Sequence, residues 1–239
     1  MKKSILYHIL FICIVVIAAP GISIAQKHPH IENQPKYDLK PYHFGFLLCI
    51  NQMDFAVRTN PNFNPKDTLL TIESAPQYGF NIGIVSNLRL GEYTDLRFLP
   101  TLSFGERMLD YTIRKDTTTI NDSKKVESTY LDFPLLLKYK SKRLNNARAY
   151  IITGLQYSID LASQAKKKDK NNDLIKLRSN DVMYQFGVGF DFYFDTFKFS
   201  TELKMLYGVR DLLLRDNTAL TSSIKRLNSK IFQLSFLFE

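Results

Sequence analysis

Residues 182–194 read VMYQFGVGFDFYF, in which large apolar side chains alternate with small or polar ones. One face includes Phe186 and Phe190, and the other includes Gly187 and Asp191. A period of two residues is typical of a β-strand with two unlike faces. A typical globular strand has roughly 5–6 residues, whereas a tilted strand needs about 9–11 residues to cross a bilayer. The run therefore predicts either an unusually long soluble strand or one wall of a membrane barrel.

The first 25 residues have the pattern of a secretory signal. Lys2 and Lys3 precede a mostly apolar run from Ile5 to Ala19, and small residues lead up to Ala25. This order of basic, apolar and small residues predicts a cleaved signal peptide over 1–25. The alternative is an uncleaved membrane anchor, but a spanning helix needs about 20 apolar residues.

From Tyr42 onward the sequence contains eight amphipathic segments with strand-like alternation. They lie approximately at 42–54, 77–90, 95–108, 127–140, 147–160, 181–194, 197–208 and 229–238. No helical period of comparable strength and no composition break divides them. The predicted domains are the signal peptide at 1–25, an irregular periplasmic lead-in at 26–41, and a β-barrel at 42–239.

The connections between these segments alternate strictly in length. Three are short, at 91–94, 141–146 and 195–196, and four are long, at 55–76, 109–126, 161–180 and 209–228. Outer-membrane barrels have this layout, with tight periplasmic turns, long external loops and an even strand number. The predicted fold is therefore all-β, an eight-stranded antiparallel transmembrane β-barrel similar to OmpX and OmpA, in the cell outer membrane with both termini periplasmic.

The soluble alternative is a lipocalin-like barrel with its apolar face inside. Three features favour the membrane barrel. The polar face is rich in glycine and opposite charges, and the final strand, KIFQLSFLF at 230–238, resembles the aromatic assembly signal of outer-membrane barrels. Tyrosines near the segment ends predict an interfacial girdle; they are Tyr42, Tyr78, Tyr130, Tyr139, Tyr157 and Tyr207.

The polar faces predict a charged lumen. An eight-stranded barrel is just wide enough for its own side chains, and isolated charges in such an interior are costly unless they pair. We therefore expect a plugged lumen with a charge network and no open pore. The predicted members are Arg97, Arg107, Asp132, Lys138, Arg148, Asp191, Glu202 and Lys204.

The sequence carries no motif for catalysis or metal binding. Loss of Cys13 with the signal peptide leaves Cys49 alone, which excludes an intramolecular disulfide and a cysteine metal pair. The barrel holds one histidine, His43, at the predicted periplasmic end, where an interfacial structural role is expected. We predict no enzyme activity, no catalytic residue, no metal site and no cofactor.

The formal net charge of +9 includes the basic run Lys166–Lys170. Basic runs can contact nucleic acid or anionic lipid. This run lies in a Ser-, Asn- and Lys-rich connection behind an export signal, which predicts a solvated loop. The expected partners are outer-membrane lipid and lipopolysaccharide, with no nucleic acid.

Several short motifs resemble the PorT family, outer-membrane components of the type IX secretion system of Bacteroidetes. The first is His43-Phe-Gly-Phe46 followed by the stretch 51–55, NQMDF. Further matches are GIVSNLRLG at 83–91, LRFLP at 96–100, SFGER at 103–107, FPLLLKY at 133–139, DLA at 160–162, FDFY at 190–193, FK at 197–198 and ELK at 202–204.

The resemblance implies a non-enzymatic role in export of proteins with C-terminal sorting domains, and in gliding motility where it occurs. It also implies other type IX secretion proteins as partners. Asn51, Met53 and Asp54, expected at the external rim, are a candidate partner contact or a strand-end turn. The alternative is a generic small outer-membrane barrel with a structural or adhesive role.

Overall fold

The structure, a computed structural model, describes residues 32–60, 69–115, 118–162, 177–215, 221 and 223–239. The signal peptide and residues 26–31 of the lead-in lie outside these ranges, so both remain predictions. A short 3-10 helix at Tyr37–Leu39 precedes the strands. No helix in the described part of the chain has the length and apolarity to cross a bilayer.

The described residues form ten strands. They are β1 (Tyr42–Thr59), β2 (Leu69–Ala75), β3 (Gln77–Arg89), β4 (Thr94–Phe98), β5 (Thr101–Lys115), β6 (Thr118–Lys140), β7 (Ala147–Asp160), β8 (Asn180–Tyr193), β9 (Lys198–Gly208) and β10 (Ile224–Phe238).

These strands make an eight-walled closed barrel, because two walls are each built from two strands. Strands β2 and β3 are separated by Pro76 and both pair with β5, whereas β4 and β5 are separated at Leu99 and Pro100 and both pair with β3 and β6. Proline has no N–H to donate to a ladder, so it interrupts the walls. Strand β1 pairs with both β10 and β3, which closes the ring. The predicted eight-stranded antiparallel barrel is confirmed.

The two faces of each wall differ as the alternation predicts. In β8, Tyr184 is 47% exposed and Phe190 51%, whereas Met183 and Asp191 are each 1% exposed. The exposed apolar residues of this wall run from Tyr184 to Phe194. That length agrees with the roughly 9–11 residues of a tilted spanning strand.

Most of the predicted tyrosine girdle lies on the outer face, but Tyr130 does not. Tyr42, Tyr78, Tyr139 and Tyr157 are exposed, whereas Tyr130 is buried inside the barrel. The reason is parity, meaning the odd or even position of a residue in its strand. Tyr130 lies two positions before Asp132, an inward residue, and therefore on the same face of β6. Its assignment to the girdle was wrong.

The predicted loop at 109–126 is also wrong. Strands β5 and β6 continue through it as a two-stranded ribbon. Their pairing is unbroken from the Thr101–Asp132 pair to the Lys115–Thr118 pair. Leu109 and Tyr111 on the ribbon are buried. We call this end of the barrel the loop end and the opposite end, which carries the three short connections, the turn end.

A hydrophobic cluster fills the loop end. Its buried members are Phe55, Leu109, Tyr111, Leu177, Leu212, Leu213, Ile224 and Leu227. Leu177 and Leu213 come from two of the long connections and form a β-bridge with each other. The described parts of these connections therefore fold over the barrel.

Glycine is required where walls approach closely. A methyl group on Gly154 would lie 2.1 Å from the carbonyl oxygen of Leu135, whereas one on Gly91 would meet nothing within 4 Å. We expect Gly154→Ala to lower the free energy of unfolding by about 1–3 kcal/mol through overpacking. Denaturant titration of the refolded protein measures the loss. Gly91→Ala is the matched control, and an equal loss in both variants would contradict the explanation.

Candidate functional site

The structure places all eight predicted lumen charges inside the barrel. None of these residues is more than 6% exposed. They come from different walls of the closed ring, so the barrel brings together residues distant in sequence. They divide into a group toward the turn end, one carboxylate at mid-height and one arginine toward the loop end.

Arg97 is the centre of the group at the turn end. It is fully buried and makes ion pairs with two carboxylates, those of Glu202 and Glu239. Lys204 lies 3.3 Å from the second oxygen of Glu202, and the Tyr150 hydroxyl donates to Glu202 at 2.8 Å. Each buried charge therefore has an opposite charge beside it, as a low-dielectric interior requires.

Lys138 and Asp191 form a second buried pair. The Lys138 Nζ atom lies 2.7 Å from one Asp191 oxygen and 2.9 Å from the other. The Ser200 hydroxyl donates to the same carboxylate at 2.7 Å, and Arg148 approaches it at 3.9 Å. The Lys138 ammonium also lies 3.6 Å from the ring centre of Tyr150, which adds a cation–π contact.

Asp132 is held by hydroxyl groups at mid-height. Ser103 and Ser158 both donate to it, the second at 2.5 Å. Ser158 also accepts from Gln156, which in turn accepts from Gln185. A cavity beside this network has a volume of about 10 Å³, room for about one water molecule. At this height the lumen is filled by side chains.

Arg107 is the predicted lumen charge that lies toward the loop end. Its guanidinium is sandwiched between the rings of Phe55 and Tyr130, at 4.8 and 5.0 Å from their centres. One of its nitrogens donates to the Ser229 hydroxyl at 3.2 Å. Two rings and a hydroxyl therefore contact this charge, which also interacts with the buried carboxylates of Asp132, Asp160 and Asp181.

The candidate partner contact at the end of β1 needs a correction. The strand does not end there but continues to Thr59. Asn51 and Met53 face the lumen and are each 1% exposed, and the Asn51 amide donates to Asn81. A partner at the barrel surface cannot reach them, because their parity in β1 turns them inward.

Asp54 has the opposite parity and lies on the outer side. It accepts a hydrogen bond from the Ser74 hydroxyl at 2.6 Å and lies 3.8 Å from the Lys230 ammonium. Its carboxylate thereby links β1 to β2 on one side and to β10 on the other. It remains the one member of the proposed contact that a partner could touch.

The turn-end group contains four further charges that the predicted network does not include. Lys140 lies 2.7 Å from Asp95, and Lys198 pairs with Glu239. Asp95 and Lys140 share the parity of Arg97 and Lys138 in their strands, so alternation alone could have identified them. Glu239 follows the outward Phe238, so the same alternation turns its buried side chain inward.

Residues 32–41, which we call the strap, close the turn end. The Tyr37 ring stacks on His43 with 4.0 Å between ring centres, and its hydroxyl donates to Glu239 at 3.0 Å. The His43 Nε2 atom lies 3.0 Å from the Tyr37 carbonyl oxygen. The strap thereby ties the first strand to the last residue of the chain.

The strap also crosses to the opposite walls. Asn33 donates to the Tyr193 carbonyl at 3.0 Å, Gln34 donates to that of Phe194 at 2.7 Å, and Arg143 donates to the Asn33 carbonyl. Arg148, a predicted lumen residue, pairs with Asp38 of the strap. The strap and the loop-end cluster therefore cover opposite ends of the lumen.

Acidification is expected to loosen the strap. Partial burial acts to raise the pKa of the Asp38 carboxyl, but the hydrogen bond and charge of Arg148 outweigh burial and lower it below 3.8. A lowered pKa means that the contact stabilises the docked strap at higher pH and is lost as the pH falls from 3.8 through the lowered value.

A nitroxide label at Lys36→Cys, in a Cys49→Ser background, measures this release as faster motion at low pH. In the matched Asp38→Asn variant the label should already be more mobile at neutral pH. A pH transition of the same size in that variant would contradict the assignment to Asp38.

No group of three or more His, Cys, Asp and Glu side chains in the described part of the chain is arranged to hold a metal ion. His43 is buried against the strap. What the network can do is neutralise charge, hold the walls in register and obstruct the lumen.

Comparisons with known proteins agree with this architecture. A family model described as an outer membrane protein beta-barrel domain matches residues 24–214. No curated protein matches the chain.

Among solved structures, the chain is similar to the N-terminal β-barrel domain of Pseudomonas aeruginosa OprF, with 18% identity, a TM-score of 0.32, and coverage of 80% of this chain and 96% of that one. It is also similar to Neisserial surface protein A, with 9% identity, a TM-score of 0.41, and coverage of 83% of this chain and 98% of that one. A further similar structure is LpxR from Salmonella typhimurium, with 9% identity, a TM-score of 0.29, and coverage of 80% of this chain and 99% of that one. These TM-scores are low, and no statement about function follows from them.

Proposed function

The chain belongs to the outer membrane protein β-barrel domain family, and from that premise we propose that it is a non-enzymatic component of the type IX protein secretion system. In this role it is needed for export of proteins with C-terminal sorting domains and, where it occurs, for gliding motility. Both termini face the periplasm, and the loop end faces the exterior.

One observation carries the proposal. Five of the motifs that resemble the PorT family, LRFLP, SFGER, FPLLLKY, FDFY and ELK, contribute residues to the lumen charge network, so part of the resemblance lies in the charged lumen. The network residues inside those motifs are Arg97, Arg107, Lys138, Asp191, Glu202 and Lys204.

The filled lumen supports a role other than diffusion of solutes. The strap covers the turn end, and a cluster of apolar side chains fills the loop end. Such a barrel suits anchoring and docking in the membrane, with lipid and lipopolysaccharide around its wall. Other type IX secretion proteins are the proposed partners.

The test is deletion of the gene followed by immunoblotting of sorting-domain proteins in the culture medium. Loss of export, restored by the wild-type gene, is expected, and gliding species should also lose colony spreading. A gene with the conservative exposed change Lys125→Arg should restore export equally. Normal export in the deletion strain, with the protein's absence verified, would refute the proposal.

A second function, a structural or adhesive barrel, is favoured by a different observation. At the loop end, β2, β5 and β6 form a three-stranded sheet, and those of its outward side chains that the structure describes are exposed or half-buried. Under this alternative, deletion leaves export intact. Replacing 112–121 by a two-residue turn then abolishes surface binding while the barrel still folds.

A further inference from the structure

Two arginines stand directly opposite one another on the outer face of the loop end. Arg58 of β1 pairs with Arg226 of β10 in the register that closes the ring. Arg58 is exposed and Arg226 is half-buried. Like charges placed directly opposite one another in an antiparallel ladder are destabilising. An anion that touches both guanidinium groups would turn this repulsion into attraction.

The described residues leave both guanidinium groups without a carboxylate beside them. The guanidinium of Arg58 makes no hydrogen bond or ion pair with these residues. In Arg226, Nη2 donates to the Val209 carbonyl, whereas Nε is buried and has no partner in the described part of the chain. A guanidinium can donate two parallel hydrogen bonds to the oxygens of a phosphate. The pair therefore offers unused donors to an oxyanion.

A third cation, Lys230, belongs to the same outer face. The Asp54–Lys230 pair lies four residues from the Arg58–Arg226 pair in the ladder, roughly 13 Å along an extended strand. Asp54 lies 3.8 Å from the Lys230 ammonium. We call Arg58, Arg226 and Lys230 the outer basic patch. Its three positive charges and the one negative charge of Asp54 leave a net charge of +2.

The residues between the two charged pairs are small or turned aside. Ala56 and Asn228 stand opposite one another at this position, and Ala56 has only a methyl group. The Asn228 side chain is buried, and its amide donates to the carbonyls of Gly208 and Arg210. A headgroup lying over Ala56 would therefore have cations on both sides of it.

The outer basic patch begins where the apolar outer face ends. In β10 the outward residues Phe232 and Leu234 are 39% and 42% exposed, and in β1 Ile50 is 54% exposed. Lys230 is the next outward residue of β10. Because the family places this face in the outer membrane, the patch lies at the level of the lipid headgroups, where anionic lipids attract basic side chains. This height favours a lipid over a soluble acidic protein as the source of the anion.

We propose that the outer basic patch binds the phosphate groups of a lipopolysaccharide headgroup. One phosphate lies between the guanidinium groups of Arg58 and Arg226, and a second anionic group of the same headgroup meets Lys230. Lipopolysaccharide carries phosphates on lipid A and on its core sugars, whereas the headgroup of a phospholipid such as phosphatidylglycerol carries one. The proposal rests on the loop end facing the exterior, as in the proposed function, but it needs no secretion role.

The test measures binding of bisphosphorylated lipid A to the folded protein in an uncharged detergent, by native mass spectrometry. The double variant Arg58→Gln/Arg226→Gln removes the two opposed guanidinium groups. The matched control, Lys125→Gln/Lys142→Gln, removes two exposed cations outside the patch and changes the net charge by the same amount. A heat-induced shift in gel migration verifies that every variant is folded before binding is measured.

Each basic residue near a membrane surface contributes about fivefold in affinity for anionic lipid, so Arg58→Gln/Arg226→Gln should raise the Kd for lipid A about 25-fold. The control should change it less than about twofold, because its two cations lie outside the patch. Arg58→Lys/Arg226→Lys should bind with intermediate affinity, since lysine keeps the charge and loses the paired hydrogen bonds. Phosphatidylglycerol should bind the wild type at least about fivefold more weakly than lipid A, because it lacks a second anionic group for Lys230.

Equal affinity of the wild type and Arg58→Gln/Arg226→Gln for lipid A would overturn the proposal, and so would an equal loss in the control. Phosphatidylglycerol binding as tightly as lipid A would refute the assignment to lipopolysaccharide. Tighter binding of a polyglutamate peptide than of lipid A would instead indicate an acidic protein partner and would also refute it. The binding assay needs no secretion partner, so its failure and a failure of the export test are distinguishable.

Discussion

Replacing Arg97 by methionine is expected to lower the free energy of unfolding by about 3–5 kcal/mol, the range for breaking a buried ion pair from one side. Arg97 is fully buried and is paired with both Glu202 and Glu239. Its removal leaves two carboxylates inside the barrel with less compensating charge. Guanidinium unfolding of the refolded variant in lipid vesicles, followed by the heat-shifted gel band, measures the loss.

The matched control is Lys125→Met, which removes a cation of an exposed pair. Lys125 and Glu106 are 3.8 Å apart with side chains 62% and 44% exposed, and such pairs contribute less than about 1 kcal/mol. The double variant Arg97→Met/Glu202→Gln should be destabilised by less than the sum of the single changes, because the residues interact. Additive losses, or equal losses at Arg97 and Lys125, would contradict the network.

Phe190→Arg is expected to destabilise the barrel by about 2–4 kcal/mol, the cost of a cation on the lipid face near the bilayer midplane. Phe190 is 51% exposed and lies near the middle of the outward run from Tyr184 to Phe194. Unfolding in vesicles measures this cost. Phe190→Leu keeps the face apolar and should cost much less.

Gly187→Phe tests the opposite face of the same strand. A methyl group there would already lie 2.6 Å from the Leu203 carbonyl oxygen and 2.8 Å from Lys204. A phenyl ring has no room, and the variant should not refold to a heat-shifted band. If Phe190→Arg and Gly187→Phe both fold as well as the wild type, the assignment of faces is wrong.

Local alternation accounts for what the sequence could predict of the candidate site. In a strand, every second side chain points to the same face, so the eight charged residues could be assigned inward without knowing their neighbours. The same rule applied to Asp95 and Lys140 would have added them. It also turns Asn51, Met53 and Tyr130 inward, and the errors at these residues came from weighing position near a strand end above parity.

The partners of the charges could not be predicted in this way. Arg97 and Glu239 are 142 residues apart, and Arg148 and Asp38 are 110 apart. Pairing over such distances depends on the order of the walls and on the register with which β1 meets β10. No local pattern in a single sequence carries that information.

The sequence by itself determined the fold class, the number of walls, the positions of the short turns and the face to which most side chains point. These follow from period-two alternation and from connection length, both of which are local. Only the tertiary structure decided which charges pair and how the strap and the loop-end cluster cover the lumen. Those features depend on closure of the ring, which brings distant residues within contact distance at one particular register.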